Sequence, residues 1–167
     1  LTDDEMNQMY NHPKVKAHIT FTHGEGFGRP LLEASFSGKP IIAPVSTGQA
    51  DFLDKDYTVE IPHAMTKVPR SAFPDGYTDD AAEWSTVNYG IAGKMMKDVF
   101  ENYGKYKLKA KKQMIVNRET FSHKAMTEKL VSIVDRFIES VPQQVKLKLP
   151  SLKAEPKKLK LPTLKKG

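Results

Sequence analysis

A strand, a glycine-rich turn, a helix and a second strand follow one another between residues 18 and 44, and this order constrains the fold most. Residues 18–22 and 39–44 are rich in β-branched and apolar side chains, which is typical of strands. Between them, Pro30 stands where a helix can begin and Gly38 where it can end. A βαβ unit of this kind predicts a parallel sheet with a right-handed crossover and a ligand site at the carboxyl ends of the strands.

The rest of the chain predicts a helix at the start, a third strand and a helical end. Residues 2–10 combine a capping threonine, early acids and apolar positions three and four apart, which favours a short helix. Residues 51–53 suggest a helical turn and residues 57–61 a strand, whereas residues 62–80, with three prolines and one glycine, predict a long irregular loop. From Trp84 onwards, apolar residues recur at helical spacing, so we expect two or three closing helices and one α/β domain over residues 1–145.

Composition narrows the class of protein. A hydrophobic content of 39% with 28% charged residues is typical of one globular domain. The chain has no cysteine, which excludes disulfides and thiolate metal sites, and no apolar run approaches the roughly 18 residues of a membrane span. We therefore expect a cytoplasmic protein, with a peripheral position at a membrane as the alternative. Because the chain begins with Leu1, it is also expected to be a fragment or a processed product.

The basic charge lies almost entirely in the last 22 residues. Residues 146–167 contain eight lysines and one glutamate, a net charge of +7, so a total of +6 leaves −1 for residues 1–145. The sequence of residues 146–153 recurs at residues 158–165 with one conservative change, and such Lys/Leu/Pro repeats predict a disordered tail. One alternative function is therefore a non-catalytic interaction domain whose tail contacts an anionic membrane surface or nucleic acid.

Residues 23–33 hold the candidate functional site. Alternate glycines at Gly24, Gly26 and Gly28 allow close approach of a ligand, and the helix that follows presents backbone N–H groups to it. Glu25 before the helix and Glu33 within it are carboxylates of the kind that accept hydrogen bonds from sugar hydroxyls. The pattern predicts a nucleotide-sugar site, and its glycine spacing does not fit the Gly-x-Gly-x-x-Gly pattern of NAD-binding proteins.

This segment resembles the Glu-x7-Glu signature of the glycosyl transferases group 1 family, the retaining GT-B enzymes of the glycogen-synthase and sucrose-phosphate-synthase type. The usual form is Glu-Gly-Phe-Gly-x-x-x-x-Glu-Ala, and six positions match it, namely Glu25, Gly26, Phe27, Gly28, Glu33 and Ala34. The likeness is good over residues 1–60 and looser over residues 84–140. It implies the C-terminal half of a GT-B fold, a Rossmann-like parallel sheet flanked by helices.

The resemblance also implies roles for individual residues. Glu25, the candidate catalytic residue, would contact hydroxyls of the donor sugar, and Glu33 would bind the ribose. Backbone N–H groups would contact the sugar and the diphosphate, and these belong to Gly26, Phe27, Gly28, Leu31 and Leu32.

His23 and Trp84 leave two alternatives each. His23 could face the donor or form a local hydrogen bond, and Trp84 is expected as a packing anchor rather than a stacking platform. The other histidines lack metal-ligand spacing.

The expected activity is transfer of a sugar from a nucleotide-diphosphate sugar to an unknown acceptor with retention of configuration. The chain contains no Asp-x-Asp motif, and the resemblance implies neither a metal nor another cofactor. The family's basic pair and its N-terminal acceptor domain would lie upstream of Leu1. The chain alone is therefore expected to be an inactive part of a longer enzyme.

Overall fold

The computed structural model describes residues 1–77 and 79–141, and these residues form a mixed α/β structure. The elements are α1 (Asp3–Asn11), β1 (His18–Ile19), α2 (Arg29–Ser35), β2 (Ile41–Ala43), β3 (Val59–Glu60), β4 (His63–Lys67), β5 (Glu83–Val87), α3 (Tyr89–Glu101), α4 (Tyr103–Thr120) and α5 (His123–Ser140). Two short 3₁₀ helices span Thr47–Asp51 and Arg70–Ala72. The chain divides into two units after Leu130, and the described part of the second is residues 131–141. The predicted tail, residues 146–167, lies outside the described residues.

The three strands of the first sheet are parallel and lie in the order β1-β2-β3. His18 pairs with Ile41, and Ile42 pairs with Val59, so β2 is the central strand. This confirms the parallel sheet that the βαβ pattern predicts, although each strand is shorter than its apolar run.

The ends of α1 and α2 follow the predicted local signals. Thr2 caps α1 through a hydrogen bond from the Glu5 amide to its Oγ1 (3.3 Å), and the Thr2 amide donates to Glu5 Oε2 (2.7 Å). Before α2, Gly28 has φ +88°, and Gly38 after it has φ +64°, both in the left-handed region that glycine adopts most easily. The capping residue of α1 was therefore correctly predicted, as was a helix that ends before Gly38, although α2 begins one residue before Pro30.

The segment between β3 and α3 differs from the prediction. Residues 62–80 were expected to be an irregular loop and Trp84 to begin a helix, but β4 and β5 form an antiparallel hairpin with His63 opposite Val87. Helix α3 begins only at Tyr89, after Asn88 caps it by accepting from the Ile91 amide (3.1 Å). The strand β5 was missed because apolar residues recur at helical spacing from Val87 onwards. Its own alternation of buried and exposed residues covers only five positions, and its partner β4 lies about twenty residues earlier in the sequence.

The core has two layers, one on each face of β2. Ile41 and Ala43 belong to one buried cluster, whereas Ile42 between them belongs to the other. The first cluster is completed by Leu31, Leu32, Val45, Phe52 and Leu53, and the second by Val59, Ile61, Val87, Ala92 and Val99. Successive side chains of a strand point to opposite faces, so this alternation places helices or loops on both sides of the sheet.

A buried polar network joins α4 to the loop after β2. Gln113 Nε2 donates to the carbonyl of Phe52 (2.7 Å) and to Asn117 Oδ1 (3.0 Å), and its Oε1 accepts from the Asp54 amide (2.8 Å). Asn117 Nδ2 donates in turn to Ser35 Oγ at the end of α2 (2.8 Å). The network therefore ties α4 both to α2 and to the chain that precedes β3.

His18 makes stability depend on pH. Burial, followed by the nearby charge of Lys39, lowers the pKa of His18. Because the unfolded chain keeps a pKa of about 6.5, it takes up a proton at a higher pH than the folded chain does. The unfolding free energy should therefore fall as the pH drops below about 6.5. Denaturant titrations at pH 7 and pH 5.5 should show a smaller fall for His18→Gln than for the wild type. An equal fall in both would contradict the assignment, and His12→Gln, at an exposed position, is the matched control.

Candidate functional site

The glycine-rich turn connects β1 to α2 at the carboxyl end of the parallel sheet. Its last residue, Gly28, is buried and has φ +88°. A Cβ atom there would lie 3.3 Å from Gln49 Cβ and 3.4 Å from Phe52 Cζ. The chain needs glycine at this position both for the backbone conformation and for the close packing.

A second turn after β2, formed by the start of the 3₁₀ helix Thr47–Asp51, holds the first one in place. The Glu25 amide donates to Thr47 Oγ1 (3.0 Å), and the Gly48 amide donates to the Glu25 carbonyl (3.0 Å). A Cβ atom on Gly48 would lie only 2.1 Å from the carbonyl oxygen of Gly26. The two turns are in direct backbone contact, and the backbone of Glu25 is held from two sides.

Three successive amides of the turn are free to bind a ligand. Among the described residues, we find no hydrogen-bond acceptor for the backbone N–H groups of Gly26, Phe27 and Gly28. Successive backbone amides in such a turn form a concave site for an anion. The amides of Leu31 and Leu32 differ, since both donate to the Gly28 carbonyl (2.9 and 3.2 Å), and their side chains are buried in the core.

Phe27 anchors the turn through its side chain. Its ring lies 5.3 Å from the ring of Phe52 and 5.9 Å from that of Phe121, measured between centroids, and those two rings also contact each other edge to face. Phe27 as a residue is 39% exposed, so it lies at the surface edge of this aromatic cluster. Phe27 thus fixes the position of the amides on either side of it.

The Glu25 side chain lines a cleft between α1, β1 and α2, which we call the Glu25 cleft. The cleft has a volume of about 460 Å³, and its walls include Tyr10, His18, Thr20 and Pro30. No hydrogen bond joins the Glu25 carboxylate to the described residues, and the side chain is half-buried. This carboxylate is available to accept hydrogen bonds from hydroxyl groups.

Glu33 lines a neighbouring cleft of about 400 Å³, the Glu33 cleft, which has Tyr10 and Pro30 in common with the Glu25 cleft. Its Oε1 accepts from Arg29 Nε (2.6 Å), and its Oε2 accepts a long hydrogen bond from the Tyr10 hydroxyl (3.5 Å). Burial, together with the charge of Glu33, raises the pKa of Tyr10, so its hydroxyl stays a donor. The two carboxylates lie in adjoining clefts, but Glu33 is already held by two partners of this chain.

His23 pairs with β5. The Ser85 amide donates to the His23 carbonyl (2.9 Å), and His23 Nδ1 lies 2.7 Å from the Ser85 carbonyl oxygen. The imidazole stacks on the indole of Trp84, with ring centroids 3.9 Å apart and an interplanar angle of 7°. His23 thus forms a hydrogen bond within the chain, but its partner is 62 residues away rather than local. Trp84 packs against His23 by stacking on its ring.

Unsatisfied polar atoms collect in the segments around the turn. Five buried side-chain atoms have no partner among the described residues. Four of them, Thr22 Oγ1, Ser46 Oγ, Gln49 Oε1 and Ser85 Oγ, belong to these segments, and the fifth is His63 Nδ1 in β4. Most buried polar atoms in proteins have a partner, and such a local group indicates that water or a ligand completes the hydrogen bonding here. The sequence indicated Tyr10 only as an apolar position of the first helix and gave no sign of Thr47, Gln49 or Ser85, since each reaches the site through the fold.

Metal-ligand groups and membrane-spanning helices are not found in the part of the chain that the structure describes. No three His, Cys, Asp or Glu side chains come together as metal ligands within residues 1–77 and 79–141. In the same ranges, no helix is both long enough and apolar enough to cross a membrane. Neither a family model nor a curated protein matches this chain.

Proposed function

We propose that this chain forms part of the donor site of a retaining glycosyltransferase of the GT-B architecture. The enzyme would transfer a sugar from a nucleotide-diphosphate sugar to an acceptor with retention of configuration. In such an enzyme, the Rossmann-like sheet would contain further strands next to β1, and an acceptor domain would complete the active site. On this proposal the chain alone shows weak nucleotide binding and no transfer.

The observation that supports this proposal most is the row of open amides between two carboxylates. Gly26, Phe27 and Gly28 offer three backbone N–H groups. Along the chain they follow Glu25 and precede Glu33, and Gly28 lines the Glu25 cleft. A diphosphate suits these amides, because each N–H group carries a partial positive charge and can donate a hydrogen bond to a phosphate oxygen. A nucleotide sugar carries a ribose on one side of its diphosphate and a sugar on the other. The hydroxyl groups of these two rings suit the two carboxylates.

The residues of the chain would act by positioning and electrostatics. The amides would stabilise the negative charge that builds up on the departing diphosphate, which is worth more in a site where the donors are already in place. The Glu25 carboxylate would hold the sugar ring in the adjoining cleft as the ring gains positive character. Phe27 and the turn around Thr47 and Gly48 would keep the amides from moving during the reaction.

Neutralising each glutamate tests the proposal. If Glu33 binds the ribose, Glu33→Gln should weaken nucleoside diphosphate and nucleotide sugar alike, by about tenfold to a hundredfold, because it removes a charged acceptor. If Glu25 binds the transferred sugar, Glu25→Gln should weaken only the nucleotide sugar. NMR titrations of the chain with UDP, GDP and ADP and with their glucose conjugates measure both, since the method suits weak binding.

Glu60→Gln is the matched control, because this half-buried glutamate pairs with Lys55 (3.1 Å) away from the turn. It should leave both affinities unchanged. An equal loss of diphosphate affinity in both test variants would show that Glu25 supports the turn rather than the sugar. If no nucleotide shifts the amide signals of Gly26, Phe27 and Gly28, the proposed function is wrong.

A further inference from the structure

We propose that the β4–β5 hairpin prepares His23 to accept a hydrogen bond from a hydroxyl group of the sugar, with Trp84 as the positioning residue. This inference rests on the proposed function and adds to it a subsite of the donor site. The subsite comprises the imidazole of His23, the indole of Trp84 and the backbone carbonyl of Ser85.

The first step is the tautomer of His23. The Ser85 carbonyl oxygen can only accept a hydrogen bond, so the 2.7 Å contact requires Nδ1 to carry the proton. In the neutral ring Nε2 then keeps its lone pair and is an acceptor. The reciprocal bond from the Ser85 amide to the His23 carbonyl (2.9 Å) keeps this geometry in place.

The second step is the orientation of the ring. Trp84 lies parallel to the imidazole at 3.9 Å, which restricts rotation of the ring about its side-chain bonds. His23 is nevertheless exposed, and among the described residues nothing forms a hydrogen bond with Nε2. The ring is therefore held on one face and at Nδ1, while Nε2 is open. Such a ring is suited to accept a hydrogen bond from a ligand.

The third step is the position of this acceptor. His23 lies two residues before Glu25, at the start of the turn whose amides we assign to the diphosphate. Nearby, Ser85 Oγ and Thr22 Oγ1 are buried and lack a partner among the described residues, which marks an incomplete polar environment. A sugar hydroxyl that donates to Nε2 fits these surroundings, whereas an anion at Nε2 would face a lone pair.

The experiment uses the full chain labelled with ¹⁵N. Long-range ¹H–¹⁵N spectra report which ring nitrogen of each of the five histidines carries a proton, and loss of one signal set in His23→Leu identifies His23. We expect the Nδ1–H tautomer. On addition of UDP-, GDP- and ADP-glucose, the His23 ring and the indole of the single tryptophan should shift. UDP, GDP and ADP should shift the amides of Gly26, Phe27 and Gly28 but neither of these two rings.

Variants of the hairpin separate positioning from support of the fold. Trp84→Leu should lower the affinity for the nucleotide-glucose conjugate by about threefold to tenfold and leave the affinity for the corresponding diphosphate unchanged. Trp84→Phe keeps an aromatic face and should lose less affinity for the conjugate. Tyr77→Leu is the matched control, because it removes an exposed aromatic ring from the loop between β4 and β5 (Tyr77 is 56% exposed). Its His23 tautomer and its affinities should equal those of the wild type.

An Nε2–H tautomer in the wild type would overturn this inference, and so would equal loss of both ligands in Trp84→Leu, which indicates a purely structural role. Shifts at the three turn amides without any sugar-dependent response of His23 would also overturn it, while the proposed function would stand. If no ligand shifts those amides, the proposed function fails and this inference fails with it.

Discussion

Replacing Gln113 with leucine is expected to lower the free energy of unfolding by about 3–5 kcal/mol, because leaving a buried polar group without its partner costs about 1–3 kcal/mol each. The substitution would remove the acceptor of the Asp54 amide and the donor to the Phe52 carbonyl and to Asn117 Oδ1. Leucine fills much of the same volume, so lost packing contributes little. For a domain with a typical stability of about 5–15 kcal/mol, this loss is large.

Urea denaturation followed by circular dichroism measures the effect. Gln8→Leu makes the same chemical change at an exposed position of α1 and should alter stability by less than about 0.5 kcal/mol. A double variant with Asn117→Leu should lose less than the sum of the two single losses, because the two side chains share one hydrogen bond (3.0 Å). Equal effects of Gln113→Leu and Gln8→Leu would mean that the network does not stabilise the fold.

Replacing Gly48 with alanine is expected to cost about 3 kcal/mol of stability, near the upper end of what overpacking usually costs, and to abolish nucleotide binding. The new Cβ would lie 2.1 Å from the Gly26 carbonyl oxygen and 2.7 Å from Phe27 Cα. Both are backbone atoms, so no side-chain rotation relieves the clash and the two turns must separate. The free amides that follow Glu25 would move with the displaced backbone.

Two other glycines provide the comparison. Nothing lies within 4 Å of a Cβ atom built on Gly93, which is inside α3, so Gly93→Ala should stabilise the chain by about 0.5–1 kcal/mol. Gly26→Ala also meets no atom within 4 Å and should leave the fold intact. Thermal unfolding and the NMR titrations described above test all three. A stable Gly48→Ala that still binds nucleotide would show that the contact between the turns is not needed.

The first 60 residues followed their sequence signals closely, because those signals act over a few residues. The capping residue Thr2, the helix between Pro30 and Gly38 and the parallel pairing of β1 with β2 were all predictable. The capping and the helix ends depend on backbone sterics or on hydrogen bonds between residues three or four apart. The parallel pairing follows from the short crossover between the two strands. The roles of Glu25 and Glu33 as hydroxyl acceptors remain predictions, although the structure places both in adjoining clefts.

The β4–β5 hairpin was not predictable in the same way. Four of the five residues of β4 are exposed, so buried and exposed residues do not alternate along it as they do in a typical strand. Prolines also lie on both sides of this segment. Pairing with β5 provides the hydrogen bonds that β4 lacks by itself. Only that pairing brings Trp84 and Ser85 to His23.

By itself, the sequence determined the order of the first elements, the glycine-rich turn and the two glutamates that flank its open amides. These are properties of neighbouring residues, set by glycine backbone freedom, capping and side-chain alternation. The tertiary structure decided the rest of the site. Tyr10 reaches Glu33 across 23 residues, Thr47 holds Glu25 across 22, and Ser85 orients His23 across 62. No local pattern encodes such contacts, because two layers of core packing on β2 determine which distant segments meet at the end of the sheet.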